Sequence, residues 1–398
     1  MPGKRFFIGL SAILGIFAVT LLASGNVAPA QEEALHSFGN RGMDGDYPYA
    51  SLIFDPAGNL YGTTAGGGTH GGGTAFELTP KAGGLWTEKV LYSFNPNGKD
   101  GENPYADLIF DAAGNLYGTT YKGGTATFGT VFQLTPQAGG TWKEKVLHSF
   151  GNGKDGENPY AGLIADTAGN LYGTTVGGGD NGSGTVFELT PKAGGTWREE
   201  LLHSFGSGKD GQHPYASLIS DSDGNLYGTT FNGGADGAGT VFELNQAGGK
   251  WTEKVLHSFN QAGKGGFNPT ASLTFDAHGN FYGATAGTIF ELQPKAGGKW
   301  TEKVLANIGT GTSLVFDTVG NLYGTTSFGG SFNRGTIFVL KPKADGKWTA
   351  MILHIFSGSA GDGAYPYGGL IIDTSGTLYG TTYGGGEYNL GTGFEIKP

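Results

Sequence analysis

The chain repeats one phrase, Leu-Tyr-Gly-Thr-Thr, seven times with small variations. Its tyrosines are Tyr61, Tyr117, Tyr172, Tyr227, Tyr282, Tyr323 and Tyr379, separated by steps of 56, 55, 55, 55, 41 and 56 residues. A unit of about 50 residues cannot bury an apolar face alone, so a period of this size demands stacked units. Short runs rich in Val, Ile, Leu, Phe, Tyr and Thr, punctuated by glycine, make each unit a set of β-strands. The 398 residues include 78 glycines, and these fall at fixed repeat positions. Their regular placement marks turns rather than low complexity.

Each repeat divides into four runs, exemplified by Ser51–Asp55 (a), Asn59–Thr64 (b), Thr74–Thr79 (c) and Trp86–Phe94 (d). A tight Asp-x-x-Gly-Asn turn joins a to b, and Thr-Pro-Lys-Ala-Gly-Gly joins c to d. Four antiparallel strands per repeat and seven repeats predict an all-β, seven-bladed β-propeller. The last repeat stops after run c, at Phe394–Pro398, while Ala34–Phe38 forms an unmatched run d near the start. The N-terminal strand is therefore expected to complete the last blade, closing the ring and removing its exposed edges. This closure suits a chain with no cysteine.

The first residues read as a signal peptide: Lys4 and Arg5, the apolar stretch Phe6–Ala23, then Ala28-Pro29-Ala30 as a cleavage site. The organisation expected is a leader over residues 1–30 and a single propeller over residues 31–398, secreted or periplasmic and monomeric. Uncleaved, the apolar stretch would be long enough to anchor the chain. Asn26 stands where a lipoprotein signal would need cysteine. The net charge of −10, with no basic stripe, excludes nucleic acid as an expected partner.

Removing the repeat simplifies the chemistry. All six tryptophans open run d, which points to packing rather than to a sugar platform. Five histidines share one run-d position, also held by Tyr92 and Ala306, so a structural role fits better than metal ligation. No nucleophile elbow, phosphate loop or metal-ligand spacing occurs, so no catalytic residue, cofactor or metal ligand is assigned. Calcium could occupy the recurring Asp-Gly loops, or Asp221–Asn225, which starts like a calcium loop; Asn232 then stands where a bidentate Glu is needed. A turn role suits both segments better.

The d–a and b–c connections share one face, termed the top. The d–a loop carries Asp-Gly-x-x-Pro-Tyr, as at Asp100–Tyr105 and Asp155–Tyr160. Together with Gly-Asn-Leu-Tyr-Gly-Thr-Thr, Gly-Gly and Gly-Thr-Val-Phe-Glu-Leu, this pattern resembles the bacterial GloVer tandem-repeat family over nearly the whole chain. The resemblance implies an exported repeat protein, often carrying a C-terminal surface-sorting anchor. It brings no known activity and no catalytic residues. The chain ends at Pro398 without such an anchor, which favours release over tethering.

Two deletions break the repeat together. Only Ala286 separates Thr285 from Gly287, where other repeats have eight residues, and the loop Ile308–Thr312 is shortened by a similar length. The loop-ending tyrosine, present as Tyr49, Tyr105, Tyr160, Tyr215 and Tyr367, is replaced by Thr270 and Gly311 there. The expectation is a notch in the rim between blades five and six beside an arc of tyrosines; simple decay of two repeats is the alternative. Polar residues that break the repeat in top loops include Asp180, Asp236, Arg334 and Glu387. With the five tyrosines they form the candidate ligand-binding set. The expected function is a binding or scaffold module for an extracellular polysaccharide or a surface protein. The alternatives are a hydrolase or lyase acting on such a polymer through top-loop acids, and a structural array.

Overall fold

The computed structural model describes residues 30, 32–39, 43–151, 154–263 and 265–398. The expected leader therefore lies almost wholly outside the described residues. The chain forms a seven-bladed β-propeller. Among the described residues seven antiparallel sheets form the blades in the order a-b-c-d, with a fifth strand added in blade one, and four two-stranded sheets join the connecting loops. In blade two these strands are Ile109–Phe110, Leu116–Thr120, Thr130–Pro136 and Trp142–Ser149. Strand a is only two residues long in every blade, shorter than the run that the sequence suggests. Residues just before it bond across to neighbouring blades instead. The Ser51 amide donates to Asp107 Oδ1 at 2.6 Å, and the Gly369 amide donates to Ser51 Oγ at 2.9 Å.

Closure follows the expected plan. Glu32–Ser37 pairs antiparallel with Thr392–Ile396, placing Ala34 opposite Phe394 and His36 opposite Gly393. The N-terminal strand is thus strand d of blade seven.

The hydrophobic core is distributed over the seams between blades. One seam joins Tyr61, Leu91 and Phe94 of blade one to Leu108, Leu116, Phe132 and Leu134 of blade two. Strand b is buried on both faces, whereas strand d alternates exposed and half-buried residues, as an outermost strand should. The tryptophans pack into these seams: Trp197 lies 6.2 Å from Tyr117 and Trp251 lies 6.4 Å from Tyr172, each pair crossing to the preceding blade.

The signature phrase is accounted for by blade construction. The Tyr61 hydroxyl donates to Asp55 Oδ2 at 3.2 Å and Glu77 Oε1 at 2.9 Å. Gly62 lies under the Phe76 ring, where a Cβ would stand 2.7 Å from Cζ. Thr63 Oγ1 donates to the Ala106 carbonyl of the next blade at 3.0 Å. The same hook joins Thr381 to Ala50 at 2.7 Å, across the point where the ring closes. Thr64 Oγ1 meets Thr74 Oγ1 at 2.8 Å and ties strand b to strand c.

On the bottom face, the a–b turns consume their own carboxylates. Asp221 Oδ1 accepts the amides of Asp223 and Asn225, and Oδ2 accepts the Asn225 side chain and the Tyr227 hydroxyl. Burial pushes this carboxyl up, but those hydrogen bonds outweigh it and leave the group below its ordinary value. The segment is a turn in every blade.

Candidate binding face

The top face is built on the Asp-Gly-x-x-Pro-Tyr connections. Asp100 Oδ2 accepts the Tyr92 hydroxyl at 2.8 Å and the Asn95 amide at 2.9 Å. Gly101–Glu102 then pairs with Lys122–Gly123 of the b–c loop, so both connections lie on one face. Asn103 takes a left-handed conformation (φ 55°), and its side chain donates to the Ala65 carbonyl of blade one at 2.8 Å. Pro104 follows, and Tyr105 turns inward.

The five expected tyrosines are brought together more tightly than an open arc. Tyr49 lies 4.5 Å from Tyr367, stacked, 5.3 Å from Tyr105 and 5.6 Å from Tyr160. Tyr105 stacks on Tyr160 at 5.2 Å, and Tyr160 meets Tyr215 at 5.3 Å. The rings pack against one another rather than standing separately around the mouth. Burial pushes the phenols of Tyr49 and Tyr160 well up.

A second aromatic layer surrounds this plug, and the repeat reading missed it. Tyr383 stacks on Tyr47 at 4.7 Å and contacts Tyr367 at 5.6 Å, while Phe328 contacts Tyr365 at 5.7 Å. Phe328, Phe332 and Tyr388 are 45%, 58% and 40% exposed. These residues belong to the loops of blades six, seven and one; Tyr121 of blade two and Phe231 of blade four also meet the plug, 5.6 Å from Tyr105 and 5.5 Å from Tyr215. The residue after Leu-Tyr-Gly-Thr-Thr held the signal: it is Tyr121, Phe231 and Tyr383 in three repeats and small or aliphatic in most others.

Two of these tyrosines are conformationally costly. Tyr47 and Tyr365 have φ of 61° and 58°, at the position where Asn103, Asn158, His213 and Asn268 stand in other repeats. Asparagine adopts this region readily; a tyrosine there is an outlier that the surroundings must hold.

At the expected notch, the shortened connections are occupied by an extended hairpin, in which Ala286 pairs with Thr310. Blade five turns directly from Thr285 to Thr288, and its strand d continues to Thr310. Beyond it, Gly311 bridges to Thr326 of blade six. A Cβ on Gly287 would meet no atom within 4 Å.

The polar members of the expected set do not converge. Asp180 pairs with Lys154 at 2.8 Å and is largely exposed. Asp236 is exposed in the loop of blade four. Arg334 Nη1 donates to the Ser357 carbonyl at 2.9 Å, and the Arg334 carbonyl accepts the Tyr365 amide at 2.7 Å, so this residue braces the connection carrying Tyr365. Glu387 is exposed, with its amide on Ser37 Oγ at 3.2 Å. Among the described residues no ion pair or hydrogen bond links Asp180, Asp236 and Glu387. They sit on blades three, four and seven, away from the notch.

The repeated histidines meet the aspartate of the following connection. His36 meets Asp44 at 3.2 Å, His148 meets Asp155 at 3.2 Å, His203 meets Asp210 at 3.0 Å and His354 meets Asp362 at 3.0 Å. Tyr92 makes the equivalent bond to Asp100, which explains why tyrosine is tolerated. A glutamate from strand d of the next blade completes each of these seams, whereas strand d of blade six carries Ala350 at that position. Burial, followed by repulsion from the neighbouring aspartate, raises Glu88 to about 7, Glu144 to about 8, Glu199 to about 7 and Glu253 to about 7. At the remaining histidine, Gly265 replaces the aspartate, and the Glu302 carboxylate stands where a side chain at 265 would begin. At the closure seam, Glu32, His354 and Asp362 bring three potential ligand atoms within 4.8 Å of one another, the one such group among the described residues.

Comparison with known proteins agrees with this architecture. The extracellular domain of a protein described as a one-component system of B. thetaiotaomicron has a TM-score of 0.57 at 12% identity, covering 93% of this chain and 40% of its own. An ancestral GH74 enzyme has a TM-score of 0.56 at 11% identity, covering 93% and 51%. A protein from Lactobacillus plantarum has a TM-score of 0.54 at 16% identity, covering 85% and 89%. At these identities the likeness is one of fold. No curated protein matches the sequence. Among the described residues no helix is long and apolar enough to cross a membrane. The Gloeobacter/Verrucomicrobia repeat matches residues 17–164 and 140–307, more than half of the chain, and the protein belongs to that repeat family.

Proposed function

We propose that this propeller is an exported binding module that holds a polysaccharide chain on its top face, over the loops of blades six, seven and one. The observation carrying this reading is the pair Tyr47 and Tyr365. Each keeps an aromatic ring at a left-handed backbone position where the repeat elsewhere uses asparagine or histidine. Strain held at a surface supports a functional role for the ring. Phe328, Phe332, Tyr383 and Tyr388 extend the same patch, and exposed aromatic surface of this kind marks an interaction site. Sugar rings present flat C–H faces that stack on such side chains, with hydroxyls left to the polar loops. The short connections at blades five and six leave less loop on that side of the face, which suits the approach of an extended polymer. A surface protein is the second candidate for the same patch.

The hydrolase alternative requires a pair of carboxyl groups flanking one bond. The notch carries none, and the acids proposed for it are dispersed over blades three, four and seven. The test is a titration of the full chain with plant, microbial and storage polysaccharides, read by calorimetry, alongside Tyr47→Asn and Tyr365→Asn. Saturable binding weakened at least fivefold by either substitution supports the reading. Equal affinity in the variants refutes the assigned face. Release of reducing ends would replace the binding reading with catalysis.

A further inference from the structure

The closure seam differs from the other seams in one respect. His354 Nε2 lies 3.0 Å from Asp362 Oδ1, and Glu32 completes a group whose ligand atoms all fall within 4.8 Å. Glu32 Oε1 is buried and makes no hydrogen bond, as with Oε1 of Glu88, Glu144, Glu199 and Glu253 at other seams; the distance within the group is what sets this seam apart. The other oxygen of Asp362 is already fixed, accepting from the Ser357 amide at 2.7 Å and the Ser357 hydroxyl at 2.6 Å. Phe356 packs edge-on against the imidazole at 4.9 Å and sets its plane. One imidazole nitrogen and two carboxylates, each held by a neighbour or by its strand, form a donor set suited to a first-row divalent ion.

We propose that Glu32, His354 and Asp362 form a divalent-metal site, of the kind that takes Zn2+, which latches the N-terminal strand into the ring. The three ligands come from three places: Glu32 from the closing strand, His354 from strand d of blade six, and Asp362 from the connection into blade seven. The ion ties the closing strand to the blade beside it and reinforces the one blade whose strands are not continuous in sequence. The same residue types occur at other seams, as in His203, Asp210 and Glu253, but among the described residues those groups do not close to the same distance.

The experiment strips the full chain with chelator, then titrates Co2+ while recording the visible spectrum, and measures thermal unfolding with and without Zn2+. The expected result is one Co2+ bound per chain, with the bands of a low-coordinate site, and a rise in melting temperature with Zn2+. Both signals should vanish in His354→Ala and Asp362→Asn and persist in His203→Ala. If those variants fail to fold, Glu32→Gln keeps the test open, because it preserves shape on an outer strand and should weaken Co2+ binding at least tenfold. Absence of a spectrum and of a shift with Zn2+, Co2+, Mn2+ or Ca2+ would overturn the proposal. So would undiminished binding in Glu32→Gln or His354→Ala.

Discussion

The glutamates at the blade seams make stability fall as pH rises through neutrality. Glu88, Glu144, Glu199 and Glu253 each have a side-chain oxygen that is buried without a hydrogen bond. Their folded-state values are raised to about 7, 8, 7 and 7, chiefly by burial and then by an aspartate of the preceding connection. In the unfolded chain these groups ionise near 4.5, so at pH 6.5 the folded state holds protons that the unfolded state has lost. Stability therefore declines as pH rises through the folded values. From pH 6.5 to 8.5 the four groups together would forfeit about 4 kcal/mol at face value, or about 2 kcal/mol after allowance for their partial exposure to solvent. For a chain of this length that lowers the melting temperature by about 3 °C. Burial lowers His36 and His148, whose contribution is present above about pH 6.5 and lost below it. Burial, then Asp362, also raises Glu32 to about 8, so it adds to the native slope and the four glutamates are read from the difference between the native chain and the variant. The assay is calorimetric unfolding at constant ionic strength with chelator present, on the native chain and on the fourfold Glu→Gln variant. A native curve that is flat or rising across this window refutes the reasoning. So does a fourfold variant with the native slope.

Other outcomes follow from the same geometry. Deleting residues 31 to 39 removes strand d of blade seven, and the protein should lose cooperative unfolding or aggregate; an unchanged melting temperature would contradict closure by that strand. Gly62→Ala places a methyl group against the Phe76 ring and should destabilise by about 1–3 kcal/mol, read as a lower denaturant midpoint. Tyr47→Asn and Tyr365→Asn relieve about 1 kcal/mol of backbone strain each and lose a ring contact of about 1 kcal/mol, so stability should stay level or rise slightly. A loss above about 2 kcal/mol would mean that the rings are retained for packing, not for binding.

Fold and site differ in how far the sequence reveals them. The period of Leu-Tyr-Gly-Thr-Thr exposes the blade count because every one of its residues makes the same contact in nearly every blade. The missing last strand and the surplus first one expose the closure, since an unpaired strand at each end has one economical solution. The Asp-x-x-Gly-Asn turn is legible for the same reason: its aspartate bonds residues two, four and six positions away. The seam chemistry is hidden. His148, Asp155 and Glu199 are spread along the chain, and only the stacking of blades shows that the glutamate belongs with the pair. The tyrosine plug was half visible. Five rings at one repeat position were evident, but their collapse onto one another depends on the radius of the ring. Tyr47 and Tyr365 look like ordinary loop residues in sequence, because a left-handed backbone angle leaves no trace except the asparagine that replaces them elsewhere. The polar residues that break the repeat stand on separate blades. Arg334 braces a loop and Asp180 pairs with Lys154, so each has a local partner.

The central claim is that repeated residues build the blades while binding rests on aromatic residues that depart from the repeat around blades six, seven and one. Hydrogen-exchange mass spectrometry of the full chain, with and without the polysaccharide giving the strongest calorimetric signal, tests it most directly. The account predicts added protection in the segments 45–49, 327–335, 363–367 and 383–390, with the bottom-face turns unchanged. Protection centred on the loops of blades three and four, or on the bottom face, would contradict it.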